Sequence, residues 1–208
     1  MKARILVWLV ALFCCHNALF AQKEFVNASA RLSGHPRILL QKGEEKALKK
    51  VIMKDAVWKD IHQSLVDEAG EIVKLPLNER IKIGRRLLSV SRENLRRIFI
   101  LSYAYRMTGK SEFLKRAESE MLKAASFSDW NPSHFLDVGE MTMALAIGYD
   151  WLYPQLSVQT KKEIENAIVE KGLRPSFDER YNWFVNAVHN WSQVCHAGVT
   201  YGALAIWE

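Results

Sequence analysis

The sequence predicts an all-α protein, and three observations support that fold class. Apolar residues recur at spacings of three and four over most of the chain after residue 44, with charged residues between them. No segment alternates apolar and polar residues over a length that would build a sheet. Ten glycines and five prolines in 208 residues are too few for a many-stranded protein, and a hydrophobic content of 49% excludes a disordered chain.

The N-terminus has the parts of a secretory signal peptide. Lys2 and Arg4 precede an uncharged apolar run over residues 5–13, and Ala21 stands before a polar residue. A basic start, a short apolar segment and a small residue at the cleavage point are typical of exported proteins. We therefore expect cleavage after Ala21.

A membrane-anchoring helix is the alternative interpretation of this segment. Such a helix needs about 20 continuous apolar residues, and His16 and Asn17 interrupt the run. We therefore predict a signal peptide at residues 1–21, a loosely ordered leader at 22–33 and a helical domain at 34–208. After cleavage we expect no membrane association.

Export changes the cysteine content and the charge. Cleavage removes Cys14 and Cys15, so Cys195 has no disulfide partner, and its apolar neighbours favour a buried thiol over a nucleophile. The loss of Lys2 and Arg4 lowers the formal net charge from +6 to +4. A basic protein favours an acidic partner. Export argues against nucleic acid as the partner. The sequence contains no basic amphipathic helix of the kind that binds membranes, so an acidic glycan is the remaining candidate partner.

Two kinds of helix alternate along the predicted domain. The amphipathic kind has one apolar stripe and covers residues 47–66, 92–107, 112–124 and 158–171. The second kind is apolar and small nearly all round, so it must be covered on every side, and it covers residues 138–148 and 197–206. Buried helices that alternate with amphipathic ones predict an inner ring wrapped by an outer ring, an (α/α) toroid of helical hairpins.

One of these hairpins has a clear turn. Thr108-Gly109-Lys110 separates two amphipathic helices and predicts that they run antiparallel. The stretch 103–110 also has a likeness to a tetratricopeptide repeat, which would imply a solenoid instead. No fixed internal period supports the solenoid.

The first candidate site is the segment 129–140. It places Trp130 and His134 before a buried helix, where an aromatic face can stack on a sugar and polar groups can bind hydroxyls. Asp137 and Glu140 have two interpretations. They are an acid/base pair, or they cap backbone N–H groups at the start of the helix, which carboxylates three residues apart do more often.

The second candidate site is the segment 181–196. It combines aromatic and neutral hydrogen-bonding side chains, and its main members are His189, Asn190, Trp191, Gln193 and His196. If a helix begins at Asn190, then Asn190 and Gln193 lie on one face of it. The alternative is that Asn190 only caps the helix. His189 and His196 are seven residues apart with no carboxylate between them, so we predict no metal and no other cofactor.

Four segments together resemble the N-terminal part of the heparinase II/III-like polysaccharide lyases. They are residues 92–110, 130–137, 146–153 and 189–195. The resemblance implies an exported bacterial enzyme with an incomplete (α/α) toroid followed by a β-sandwich. The sequence ends inside an apolar helical pattern, so we expect the rest of the toroid and the β-sandwich to lie beyond Glu208.

The resemblance also implies a reaction, the β-elimination of a uronic acid-containing, heparin- or heparan sulfate-like polysaccharide. Asn190 matches the family position that neutralises the substrate carboxylate, and Gln193 is placed one turn later to assist it. His189 occupies a position where the family more often has asparagine, and we include it among the catalytic candidates. The family's tyrosine and histidine, which act as acid and base, come from beyond Glu208.

The predicted partner is therefore an acidic polysaccharide, and the oligomeric state stays open. Four residues are predicted to contact this substrate: Arg92, Trp130, His134 and Trp191. Two other functions fit some of the same motifs. One is a non-catalytic glycan-binding toroid or an inactive remnant, and the other is a glycoside hydrolase that uses Asp137 or Asp150, which would require paired carboxylates at one cavity.

Overall fold

The structure is a computed structural model that describes residues 34–207. The predicted signal peptide at 1–21 and the leader at 22–33 lie outside the described residues. The described part is helical, and its only β-type pairing is an isolated bridge between Ile83 and Arg86. The all-α class predicted from the sequence is confirmed.

Seven α-helices follow one another in residues 34–207: α1 Glu45–Lys54, α2 Ala56–Lys74, α3 Leu88–Thr108, α4 Ser111–Ala125, α5 Phe135–Leu152, α6 Val158–Ala167 and α7 Asn190–Ile206. Helix α6 continues into a π-helical segment, Ile168–Leu173. Two short 3₁₀ segments, Arg174–Phe177 and Asn182–Asn186, then lead to α7. None of these helices is long and apolar enough to span a membrane.

Local sequence signals explain where the first helices begin and end. The Asp55 carboxylate accepts hydrogen bonds from the backbone N–H groups of Val57 and Trp58 and so caps the start of α2. Helix α3 ends at Gly109, whose φ of +74° is left-handed and costs glycine little. The reversal there produces the α3–α4 hairpin that the sequence predicted.

Helix α5 is the centre of the core. It packs between α3 and α7, and every residue in it except Met143 is buried. The predicted helix that is apolar all round at 138–148 is thereby confirmed and extended at both ends. Helix α6 buries the predicted stripe through Ile164 and Ala167, and its continuation adds Ile168.

Helix α7 differs from its prediction. The sequence predicted a helix that other elements cover on every side. In the structure α7 buries only one narrow stripe, formed by Cys195, Gly198, Gly202 and Ala205. These small residues recur at spacings of three and four, so they bring one face of α7 close to α5. The other faces of α7 are exposed or half-buried within the described residues.

Asp150 joins the beginning of the domain to the end of α5. Its buried carboxylate contacts His35 Nδ1 at 2.6 Å and accepts hydrogen bonds from the backbone N–H groups of Arg37, at 3.0 Å, and Ile38, at 2.9 Å. The next residue, Trp151, donates from its indole N–H to the Ile38 carbonyl at 2.8 Å. The structural role predicted for Asp150 is confirmed, and its carboxylate is not available as a hydrolase acid.

Candidate functional site

The first turns of α3, α5 and α7 meet at one place. The backbone N–H of Leu87, just before α3, donates to the Asp137 carboxylate of α5 at 2.6 Å. The His134 ring, just before α5, lies 4.6 Å from the Trp191 ring of α7, centroid to centroid. Each helix start carries a partial positive charge from its backbone dipoles. The anion placed at these helix starts is the buried carboxylate of Asp137.

Asp137 is the hub of a buried hydrogen-bond network. Besides the Leu87 N–H, it contacts His134 Nδ1 at 2.6 Å and accepts from the Asn131 side-chain amide, also at 2.6 Å. All three contacts lie in the core, and the Asp137 side chain has no exposed surface. The capping interpretation needs a correction, because Asp137 contacts the N–H group that precedes α3 and leaves its own helix uncapped.

His134 and Trp130 do not have the surface positions that the sequence predicted. The His134 ring is only 3% exposed and packs edge-on against Trp191, so it positions that indole and is not itself a substrate contact. Trp130 is fully buried, and its indole N–H donates to the Ala124 carbonyl at 3.0 Å. Because this arrangement leaves no ring face for a sugar, we assign Trp130 to the core.

Three polar residues at the start of α7, His189, Asn190 and Gln193, have different roles. His189 is the N-cap residue, and its ring nitrogen accepts a hydrogen bond from the Trp191 N–H at 3.4 Å. His189 therefore caps α7, its ring is exposed, and its catalytic role stays a prediction. Asn190 and Gln193 are exposed, and neither side-chain amide has a hydrogen-bond partner within residues 34–207. Asn190 is thus not the cap, and both amides can bind a ligand.

Trp183 is a member of the site that the sequence analysis missed. Its indole is 46% exposed and lies 4.7 Å from the Trp191 ring, tilted by 38°. The His189 ring lies 6.1 Å away on the same side of the cluster. The aromatic run before α7 was the available signal, but it does not distinguish exposed Trp183 from its buried neighbour Phe184.

Arg92 lies at the opposite edge of the junction, on α3. Its Nε donates to both carboxylate oxygens of Glu140, at 3.0 and 3.1 Å, while 62% of the Arg92 side chain stays exposed. Burial raises the pKa of Glu140 and the charge of Asp137 adds to that effect, although Arg92 opposes it. The predicted cation is therefore at the surface, held in position by a buried acid, Glu140.

The remaining candidate groups have no ligand role in the structure. Burial, together with the nearby charge of Glu140, raises the pKa of the Cys195 thiol to about 12, so the predicted buried thiol is confirmed. Over residues 34–207, no group of three or more His, Cys, Asp or Glu side chains is close enough to hold a metal ion. Ligand-binding capacity is concentrated in the amides, the indoles and Arg92.

Comparison with protein-family models finds no match for this chain, and comparison with curated proteins finds none. The resemblance to heparinase II/III-like lyases therefore depends on the sequence motifs. The fold and the site together define a helical-hairpin protein that exposes the amides of Asn190 and Gln193 and the indole of Trp183, with half-buried Trp191 beside it, where three helices begin.

Proposed function

We propose that this chain is the N-terminal part of an (α/α)-toroid polysaccharide lyase that cleaves an acidic, uronic acid-containing polysaccharide by β-elimination. The observation that carries the proposal is the pair of exposed, unpartnered amides of Asn190 and Gln193 beside the indoles of Trp183 and Trp191. The proposal places the protein in a bacterial periplasm or outside the cell, after cleavage of residues 1–21 and with no cofactor.

The amides suit the difficult step of this reaction. A base removes the proton on the carbon next to the uronate carboxylate, which leaves negative charge on that carboxylate. The electron pair then forms a double bond to the adjacent ring carbon and expels the glycosidic oxygen that this carbon carries, and the acid protonates that oxygen. N–H donors already in position stabilise such developing charge without reorganisation. In the proposal Asn190 donates to the carboxylate, and Gln193, one turn along α7, donates beside it.

The aromatic pair and Arg92 suit the substrate. An exposed indole such as Trp183 offers a flat apolar face to a sugar ring, while Trp191 is held against it by His134. The exposed guanidinium of Arg92, which lies on α3 at the same junction, attracts the negative charge of a uronate. The family's acid and base residues belong, in this proposal, to chain beyond Glu208.

The helix arrangement is consistent with part of a toroid. Buried α5 lies between α3 and α7, while α4 contacts both α3 and α6. In the proposal, α5 and α7 are inner helices of the toroid and α6 is an outer one. A glycoside hydrolase is disfavoured, because the Asp137 and Asp150 carboxylates are both buried and occupied by N–H donors.

The test is to incubate the full-length protein with heparin, heparan sulfate, hyaluronan and alginate and to follow the ultraviolet absorbance of the unsaturated product. If the protein forms the unsaturated product, Asn190→Ala should lower kcat by roughly 10²–10³-fold, which is the usual effect of removing one N–H donor of this kind. Asn166→Ala, at an exposed asparagine on α6, is the matched control and should keep full activity. Reducing ends without unsaturated product would indicate hydrolysis, and binding without cleavage would indicate a non-catalytic glycan-binding protein.

A further inference from the structure

We infer that residues 81–86, which we call the basic turn, form a second binding element that takes the anionic groups of an acidic polysaccharide outside the amide pair. The inference rests on the proposed function, since it concerns the same polymer. It adds a separate surface, in the connection between α2 and α3, that none of the predicted site residues belongs to.

The backbone gives the basic turn a defined shape. The Ile83 N–H donates to the Arg86 carbonyl at 2.9 Å, and the Arg86 N–H donates back to the Ile83 carbonyl at 3.2 Å. Gly84, inside this closed pair, has a φ of +60°, which favours glycine. The side chains of Lys82, Arg85 and Arg86 are all exposed around the turn.

These three cations have no carboxylate partner in the part of the chain that the structure describes. Asp137, which Asn131 joins to the turn, is fully buried and held by N–H donors. Four other acidic side chains on the adjoining segments are paired with other cations. Those pairs are Glu79 with Lys123, Asp129 with Arg80, Glu140 with Arg92, and Glu93 with Arg96 and Arg97. The basic turn therefore carries an uncompensated positive charge, and its chemical complement is a polyanion.

Asn131 connects the basic turn to the site. Its side-chain amide donates to the Arg85 carbonyl at 2.8 Å and to buried Asp137 at 2.6 Å, while its side-chain oxygen accepts from Lys82 Nζ at 3.3 Å. Asp137 in turn holds His134 against Trp191. The turn and the indoles are therefore attached to one buried network, so an extended polymer on the indoles has a charged surface beside it.

A sulfated or carboxylated glycan fits this arrangement better than a nucleic acid does. The basic turn has no aromatic side chain among its cations, so it offers no surface on which bases would stack. Its three exposed cations suit anionic groups spaced along a polysaccharide. Contacts of this kind are individually weak, so we expect the three together to contribute about tenfold in affinity.

The test compares two triple variants of the full-length protein, each with three fewer positive charges. One is Lys82→Gln/Arg85→Gln/Arg86→Gln. The control is Lys46→Gln/Lys49→Gln/Lys50→Gln, at exposed lysines of α1 that have no carboxylate partner within residues 34–207. Both are made in an Asn190→Ala background, and the Kd for heparin, for hyaluronan and for single-stranded DNA is measured at two salt concentrations, together with the thermal midpoint.

The turn variant should bind heparin about tenfold more weakly than the control variant at low salt, and this difference should shrink at high salt because exposed charges are screened. Loss with heparin alone supports a sulfate contact, and equal loss with hyaluronan supports a carboxylate contact. Equal Kd values for the two triple variants, or an equal loss for DNA, would overturn the inference. Because no cleavage is measured, this result is independent of whether unsaturated product forms.

Discussion

Gly198 of α7 lies against Gly139 of α5 with no room for a side chain at either position. A Cβ atom on Gly198 would be 2.1 Å from the Gly139 carbonyl oxygen, and a Cβ on Gly139 would be 3.2 Å from the Cys195 Cα. The two helix backbones therefore touch at this level. The contact fixes the position of α7 along the axis of α5. It therefore also fixes the position of Asn190, the first residue of α7, relative to the starts of α3 and α5.

Gly198→Ala should accordingly destabilise the protein. The added methyl group would meet backbone atoms, which cannot turn aside as a flexible side chain can, so α7 would have to shift. Overpacking of this kind costs about 1–3 kcal/mol, and we expect the upper part of that range for the free energy of unfolding. Urea unfolding followed by circular dichroism measures the change.

Gly70→Ala is the matched control for that measurement. Gly70 lies inside α2, and a Cβ there would meet no heavy atom within 4 Å. Alanine is the better helix former by about 1 kcal/mol, so this variant should be more stable than the natural protein. Equal unfolding midpoints for the two variants would contradict the close approach of α5 and α7.

Asp150→Asn should loosen the segment before α1. The buried carboxylate accepts hydrogen bonds from two backbone N–H groups and contacts His35, and an amide can replace only part of that set. Removing one charge from a buried pair costs about 3–5 kcal/mol, and we expect a loss near the lower end. Asp178→Asn is the control, because the Asp178 carboxylate accepts hydrogen bonds too, from Arg180, but at the surface. It should leave the urea midpoint nearly unchanged.

Glu140 should give stability a negative dependence on pH. Burial, with the charge of Asp137, raises its pKa above the ordinary 4.5 although Arg92 opposes the shift, so the folded protein retains a proton that the unfolded chain releases. Between those two pKa values stability falls as pH rises. Glu140→Gln cannot lose a proton. The free energy of unfolding of the variant, minus that of the natural protein, should therefore increase as pH rises above the ordinary pKa of 4.5.

Glu93 provides the comparison of opposite sign. Its hydrogen bonds with Arg96, and also those with Arg97, lower the pKa of Glu93 to about 2 despite partial burial. Its stabilising effect is therefore present above the ordinary pKa of 4.5 and is lost as pH falls towards about 2. The free energy of unfolding of Glu93→Gln, minus that of the natural protein, should therefore become more negative as pH rises. Differences that change in the same direction for both variants would contradict these assignments.

Cys195 should resist alkylation while the protein is folded. With its pKa raised to about 12, only about one thiol in a thousand is ionised at pH 9, and the side chain is buried. Iodoacetamide labelling of the Cys195 peptide, measured by mass spectrometry, should be at least about a hundredfold slower in buffer than in urea. Equal rates in the two conditions would show that the thiol is accessible.

Much of the helical framework follows from sequence-local chemistry. The apolar spacing of α3 and α4 and the left-handed turn at Gly109 need no distant contact, and both agree with the prediction. The one-sided burial of α7 does not follow from sequence, because small apolar residues on every face are compatible with full cover. Which face is buried depends on the contact with α5.

The site was harder to predict than the fold because its polar residues have similar surroundings in the sequence. Trp130 stands among loop-like polar residues but is buried, since its indole N–H finds the Ala124 carbonyl. His189 and Asn190 are adjacent, yet only the first caps α7. These distinctions come from backbone direction at a helix start and from contacts between distant segments, neither of which a pattern of residue types encodes.

Trp183→Ala tests the aromatic pair through Trp183, the member that the sequence analysis did not identify. If the exposed indole stacks on a sugar ring, its loss should weaken polysaccharide binding roughly tenfold without unfolding the protein, because the ring contributes little to the core. Trp58→Ala is the matched control: Trp58 is 47% exposed on α2, almost as Trp183 is at 46%. Isothermal titration with a heparin oligosaccharide should show the loss for Trp183→Ala only, and an equal change in both variants would mean that exposed indoles bind the polymer nonspecifically.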